Sequence, residues 1–176
     1  MSKIVRIRET TQAVTNERLW EAGIDRQIRM VELKDISELL HLEQTCFDPK
    51  FYSSLLTQSA IRHLIGRGNG IILLHKQEDR LTGYAQIVFR RNFSAGRLYS
   101  LAVHPDFQGK SVAKLLFKSV EQTCKVLGAN TVLLEIREDN QSQRHCYEKL
   151  SYLPYRRVTD YYPDGCAAIK MKRKID

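Results

Sequence analysis

The sequence predicts an α+β (mixed α/β) domain around one sheet, and three observations predict it. Strand-like and helix-like patterns follow one another in the order β-α-α-β-β-β-α-β-α-β-β, which suits helices packed on a single mixed sheet. Two apolar runs, Ile71–Lys76 and Leu81–Phe89, are separated only by Gln77-Glu78-Asp79-Arg80 and read as a hairpin. The apolar run Leu98–Val103 ends at Pro105, and a short polar loop leads into a long amphipathic pattern beginning near Lys110.

Each element has a local reason. Residues 1–26 are polar and weakly patterned, with a short strand expected at Ile4–Ile7 and a helical turn around Leu19-Trp20. Ile28–Val31 reads as a strand. Asp35 and Glu38 form the capping box Asp-Ile-Ser-Glu, which opens a helix carrying Ile36, Leu39, Leu40 and Leu42 toward the core. Asp48-Pro49 breaks that helix, and a second one, Ser54–Ile65, ends at Gly66 or Gly68. Asn92–Gly96 turns the chain into the Leu98–Val103 strand. Val112, Leu115, Leu116, Val120 and Leu127 then fall at helical spacing, and Gly128 stops that helix. Thr131–Ile136 is a strand interrupted by Glu135. Asn140 caps a helix over Gln141–Leu150, and residues 153–160 and 166–172 are the last two strands.

A chain of 176 residues, 43% hydrophobic and 27% charged, suits one compact domain. No apolar run approaches the ~20 residues needed to span a bilayer, and the N-terminus lacks the apolar core of a secretory signal. A soluble, cytoplasmic protein without membrane partners is the expectation. The net charge of +8 favours polyanions, but its clusters at Lys3–Arg8, Arg90–Arg91, Arg156–Arg157 and Lys170–Lys174 are dispersed and form no basic stripe with interleaved aromatics. A solvated basic surface is therefore expected, not a dedicated nucleic-acid site. Cys46, Cys124, Cys146 and Cys166 contain no Cys-x-x-Cys pair, so neither a zinc site nor a disulfide scaffold is expected, and no metal. Cys46, Cys124 and Cys146 fall in helical patterns, where free thiols are commonly buried.

Three features point to chemistry. The strand, polar loop and helix start around residues 98–113 make an anion site, because the first N–H groups of a helix have no internal partners and the helix dipole favours negative charge there. Glu135 interrupts the apolar strand Val-Leu-Leu-Glu-Ile, where its carboxylate either faces solvent, is ion-paired, or serves as a desolvated general base. Tyr147 lies on the next helix, where a tyrosine ordinarily packs its ring. Tyr161-Tyr162-Pro163-Asp164-Gly165 reads as a hairpin turn.

These segments resemble the GNAT superfamily of N-acetyltransferases. Gln108-Gly109-Lys110-Ser111-Val112-Ala113 is similar to the family's Gln/Arg-x-x-Gly-x-Gly/Ala pyrophosphate loop, with Ser111 where glycine is usual. Leu134-Glu135-Ile136-Arg137-Glu138-Asp139-Asn140, followed by Cys146-Tyr147-Glu148-Lys149-Leu150-Ser151-Tyr152, resembles the branch that acetylates the N-terminal alanine of a ribosomal protein, with Ser151 replacing a glycine. Tyr161-Tyr162-Pro163-Asp164-Gly165-Cys166-Ala167-Ala168 resembles the same branch.

The resemblance covers about residues 28–174 and implies a GNAT-like acyl-CoA N-acyltransferase fold: a central, mostly antiparallel sheet of about seven strands flanked by about four helices. It divides the chain into an extension, 1–27, and an N-acetyltransferase domain, 28–176. It implies acetyl-CoA as cofactor, its pantetheine arm beside Leu101, Ala102 and Val103 and its pyrophosphate on the N–H groups of the Gln108–Ala113 loop (Gly109, Lys110, Ser111 and Val112 lying between), with Asn140 contacting the arm. It implies Glu135 as base, Tyr147 as acid, and Phe47, Tyr161 and Tyr162 as acceptor-side residues. The acceptor is an amine, of a protein or peptide N-terminus or of a small molecule, handled by a monomer or homodimer. A non-catalytic acetyl-CoA sensor and a basic ribosome-associated protein are the competing expectations.

Overall fold

The computed structural model describes residues 13–52, 56–90 and 94–175. The strand expected at Ile4–Ile7 and the cluster Lys3–Arg8 lie outside them, as do Ser54 and Arg91. Among the described residues, five α-helices and seven strands alternate: α1 (Asn16–Glu21), β1 (Ile28–Met30), α2 (Ile36–Cys46), α3 (Gln58–Arg67), β2 (Gly70–Gln77), β3 (Arg80–Phe89), β4 (Ala95–Val103), α4 (Val112–Val126), β5 (Thr131–Arg137), α5 (Gln141–Lys149), β6 (Leu153–Val158) and β7 (Ala168–Lys174). The strands make one sheet in the order β1-β2-β3-β4-β5-β7-β6. Neighbours run antiparallel except β4 and β5, which are parallel.

The expected succession of strands and helices and the mixed, mostly antiparallel sheet are therefore observed, with one helix more than the sequence suggested. The β2–β3 hairpin closes on Glu78 and Asp79, whose φ values of 50° and 62° are the left-handed pair a two-residue turn requires. Alternate residues of β2 and β3 face opposite layers. Leu73, Ala85 and Ile87 join a core with α4, while Ile72, Leu74 and Tyr84 join a second core with α2 and α3. Burial on both faces is why these strands read as continuous apolar runs. Helix α4 lies very close on β4: a Cβ on Gly96 would stand 2.3 Å from Cys124 Sγ. Val14, Leu19 and Ile24 join the α4-side core together with Ile28, and Trp20 Nε1 donates to the Ile28 carbonyl at 2.8 Å.

Three local expectations need correction. Asp35 does not form a capping box with Glu38. Its carboxylate accepts from the Arg29 guanidinium at 2.7 Å and from the Glu32 N–H at 2.8 Å, while Glu38 accepts from Lys76 Nζ and the Leu81 N–H. Tertiary partners thus replace the local cap, and α2 starts at Ile36 behind a 3-10 turn over Leu33–Asp35. Helix α3 begins at Gln58 because the Thr57 side chain caps the Ala60 N–H, and it ends at Gly68, with φ 61°. Cys146 is exposed, unlike buried Cys124, because Tyr147 is the one buried residue of α5. No helix among the described residues is long and apolar enough to cross a membrane.

Candidate active site

The site begins where two parallel strands stop pairing. β4 and β5 pair only from Ala95, Gly96 and Arg97 to Thr131, Val132 and Leu133. Beyond that point β4 keeps β3 and β5 keeps β7. Tyr99 is the extra residue of a β-bulge opposite Gln86 and Ile87, and such a bulge bends its strand. The separation opens a cleft of about 210 Å³. Leu101 and Ser100 of β4, Leu134 and Glu135 of β5, Tyr147 of α5 and the loop residues Phe47, Tyr161 and Tyr162 all line it.

The expected catalytic and acceptor-side residues therefore share one cavity. Glu135 is held between two cations: Arg97 Nε donates to its Oε2 at 2.8 Å, and Lys170 Nζ lies 3.3 Å from its Oε1. Of the alternatives open for Glu135, the ion-paired one is what its surroundings supply, at the wall of a cleft and not on an outer surface. Arg97 also donates to the Tyr161 hydroxyl at 3.0 Å. The Tyr147 ring packs edge-on against Phe117, while its oxygen accepts from Gln143 Nε2 at 2.9 Å. Because Gln143 donates to that oxygen, the phenol's own proton remains available to the cleft. Burial pushes Tyr147 above the ordinary tyrosine range.

The residues expected on the acceptor side form a run of edge-to-face rings. Phe47 meets Tyr52 at 5.1 Å, Tyr52 meets Tyr162 at 5.9 Å, and Tyr162 meets Tyr161 at 5.1 Å between centroids. Arg137 braces them: its guanidinium lies over the rings of Phe51 and Tyr162, and it grips Asp139 and Asp164.

The expected cofactor residues sit beside this cleft, mostly outside its lining. Ala102 turns its side chain into the α2–α3 core, so only its backbone is on offer. The Val103 carbonyl accepts from Gln108 Nε2 at 3.3 Å and from the Cys46 thiol. Burial, with Glu43 nearby, lifts that thiol to about 11, which favours its neutral form. The α4 N-terminus follows: Leu115 donates to the Ser111 carbonyl, leaving the N–H groups of Val112, Ala113 and Lys114 ahead of the first helical bond. Gly109 has φ 77° and Ser111 φ 64°, so Ser111 holds the left-handed conformation that glycine adopts without strain. Asn140 Oδ1 accepts from the Gln143 N–H at 3.0 Å, the cap read from the sequence. An open strand edge leading to free helix N–H groups, with Lys110 alongside, fits an extended ligand ending in phosphates.

Several cleft residues went unread in the sequence, Glu43, Tyr52, Arg97, Arg137 and Gln143 among them. Glu43 left a signal, since it lies on the apolar stripe of α2 with Ile36 and Leu39. It is buried, accepts from the Tyr84 hydroxyl and the Leu56 N–H, and burial raises its carboxyl above the usual range although both donors oppose this.

The sequence profile of the acetyltransferase (GNAT) family matches residues 36–152, from the start of α2 through α4, β5 and α5. The chain belongs to the GNAT family. It is thus an N-acetyltransferase by family, and the family uses acetyl-CoA. A Bacillus subtilis (strain 168) protein provisionally named [ribosomal protein bS18]-alanine N-acetyltransferase is 25% identical over 143 residues, 78% of this GNAT and 87% of that protein. The crystal structure of the ribosomal-protein-S18-alanine N-acetyltransferase from Escherichia coli superposes with a TM-score of 0.71 at 22% identity, over 85% of this chain and 93% of that one. The PaiA N-acetyltransferase of Thermoplasma acidophilum, solved in complex with coenzyme A, superposes with a TM-score of 0.67 at 16% identity, over 84% and 97% of the two chains.

Proposed function

We propose that this GNAT moves the acetyl group of acetyl-CoA to the N-terminal α-amine of a protein or peptide, with Glu135 as base and Tyr147 as acid. The observation that carries the reading is that these two side chains, from different elements, line one cleft at the point where β4 and β5 part. Acetyl-CoA, when bound, supplies an acyl group activated as a thioester.

The chain's own residues then divide the work. The unpaired edge of β4 from Leu101 to Val103 offers backbone groups to the arm of the cofactor, as an added strand would use them. N–H groups of the Gly109–Ala113 loop receive the pyrophosphate, that of Lys110 being shared with the Phe107 carbonyl, and Asn140 contacts the arm. Phe47, Tyr161 and Tyr162 confine the acceptor amine. Arg97 and Lys170 fix the Glu135 carboxylate, which takes one proton from the acceptor ammonium, directly or through water, so that the neutral amine attacks. Gln143 orients Tyr147, whose buried hydroxyl gives its proton to the departing sulfur. The acceptor ammonium loses two protons: one leaves through Glu135 to water before attack, and the second, released as the amide forms, restores the proton that Tyr147 gives to sulfur. A relative provisionally named as acting on a ribosomal-protein alanine supports an α-amine acceptor, and a cytoplasmic location would supply both substrates.

The test is a pair of peptides, one with a free α-amine and blocked lysines and one with the reverse. Mass spectrometry after incubation with acetyl-CoA should find acetyl groups only on the α-amine. Transfer only to lysine or to small amines would reject this acceptor, and tight acetyl-CoA binding with no transfer to any amine would support a sensor.

A further inference from the structure

The open sheet face beside Glu135 carries more positive charge than that carboxylate neutralises. The α2–α3 core takes its sheet residues from β2, β3 and β4. On β7, Lys170 stands in register with Glu135, and Lys172, two residues along, shares its face. Three cations, Arg97, Lys170 and Lys172, each lie over a tyrosine ring: Arg97 over Tyr99 at 5.3 Å, Lys170 over Tyr161 at 5.7 Å and Lys172 over Tyr155 at 5.4 Å. The tyrosines are 40%, 36% and 44% exposed, in the same order. Arg97 and Lys170 both reach Glu135, whereas Lys172 is exposed beyond it. Lys170 and Lys172 belong to the basic cluster Lys170–Lys174 seen in the sequence, and only the sheet order brings Arg97 of β4 to the same face.

We propose that this face is the docking track for an acceptor polypeptide with acidic residues just behind its reactive N-terminus. The inference rests on the N-terminal acetylation reading above and names the substrate class for that site. Charge complementarity selects the partner: three cations face one carboxylate, and each lies over a partly exposed tyrosine ring. Continuity selects a polypeptide, because Arg97 and Lys170 belong at once to the cleft that would receive the amine and to the track leading away from it. Lys172 lies ~7 Å farther along β7 than Lys170, about the span of two extended residues. An Asp or Glu two or three residues behind the reacting amine would therefore meet Lys172. The chain's net charge of +8 adds long-range attraction for such a partner.

The test uses peptides that share an N-terminal alanine and carry Asp, Asn or Lys at the next three positions. Initial rates with acetyl-CoA are measured together with binding by fluorescence anisotropy, in low and high salt, for the wild type, Lys172→Glu and the milder Lys172→Gln. The Asp peptide should show a KM about tenfold below that of the Lys peptide, an advantage that high salt erases. Lys172→Glu should reverse the order, and Lys172→Gln should narrow it. Acetylation of all three peptides alike, or preference for the Lys peptide, overturns the inference and leaves N-terminal acetylation intact. Lys172-dependent binding of the Asp peptide without acetylation supports the track and rejects the acetylation reading. Tighter binding of a single-stranded oligonucleotide than of the Asp peptide overturns the inference in favour of nucleic acid.

Discussion

Arg137, the last residue of β5, grips Asp164 in the β6–β7 loop through parallel hydrogen bonds of 3.0 and 2.7 Å. The same guanidinium makes a second bidentate pair with Asp139 and lies over Phe51 and Tyr162. One buried side chain thus joins the Phe51 segment and the β6–β7 loop of the proposed acceptor wall. The fork geometry is what a lysine cannot supply. Arg137→Lys should raise the acceptor KM about tenfold, the loss expected from one strong charge-assisted bond, while acetyl-CoA affinity stays constant. Steady-state kinetics beside calorimetric titration check this, and an equal loss of cofactor affinity would contradict it.

Those hydrogen bonds hold Asp164 at about 2, below its ordinary 3.8. A depressed carboxyl contributes stability that is complete above its unfolded value and is lost as pH falls toward the folded one. Asp164→Asn should therefore flatten the acid limb of the melting temperature between about pH 4 and pH 2. Thermal melts across that window measure it, and an unchanged limb would rule out the linkage.

Ser111 and Ser151 each hold φ at 64°. Both stand where the family pattern has glycine, and both keep the left-handed conformation. For a residue with a Cβ this costs ~1–2 kcal/mol, against ~0.5–1 kcal/mol for the extra unfolded-state freedom of glycine. Ser111→Gly and Ser151→Gly should each stabilise the fold by up to ~1 kcal/mol, a rise of about 2–4 °C. At Ser111 the relief lies beside the proposed phosphate site, so acetyl-CoA should bind at least as tightly. A lower melting temperature in both variants would contradict the strain.

His75 of β2 is buried, with Nδ1 on the Thr82 hydroxyl and no partner for Nε2 among the described residues. Burial lowers its pKa from 6.5, Asp25 opposing weakly. The unfolded chain therefore binds a proton at higher pH than the folded one, so stability is full above about pH 6.5 and declines as pH falls below it. His75→Gln should lessen that decline between pH 6.5 and 5, and identical slopes for both proteins would contradict the assignment.

Much of the fold was legible because its signals are local. The β2–β3 hairpin, the Asn140 cap and the stop at Gly128 each depend on residues within a few positions. Tertiary competition hid the rest. Asp35 reads as a helix cap, but the Arg29 guanidinium from β1 takes its carboxylate. The motif residues Glu135, Tyr147, Tyr161 and Tyr162 could be named from the sequence, whereas the partners that orient them could not. Arg97 and Lys170 reach Glu135 from β4 and β7, which only the sheet order brings beside it. Glu43 was readable as a charge on an apolar stripe, and Gln143 looks like any exposed helix residue until Tyr147 is seen against it.

In the proposed reaction Glu135 takes a proton from the acceptor amine and Tyr147 gives one to the departing sulfur. Single-turnover acetylation of an N-terminal peptide by the wild type, Glu135→Gln and Tyr147→Phe, with acetyl-CoA affinity measured on the same preparations, tests it most directly. The rate should fall about 10²–10⁴-fold in each variant, the ordinary contribution of a general acid or base, while cofactor affinity is retained. Full turnover in both variants would contradict the assignment.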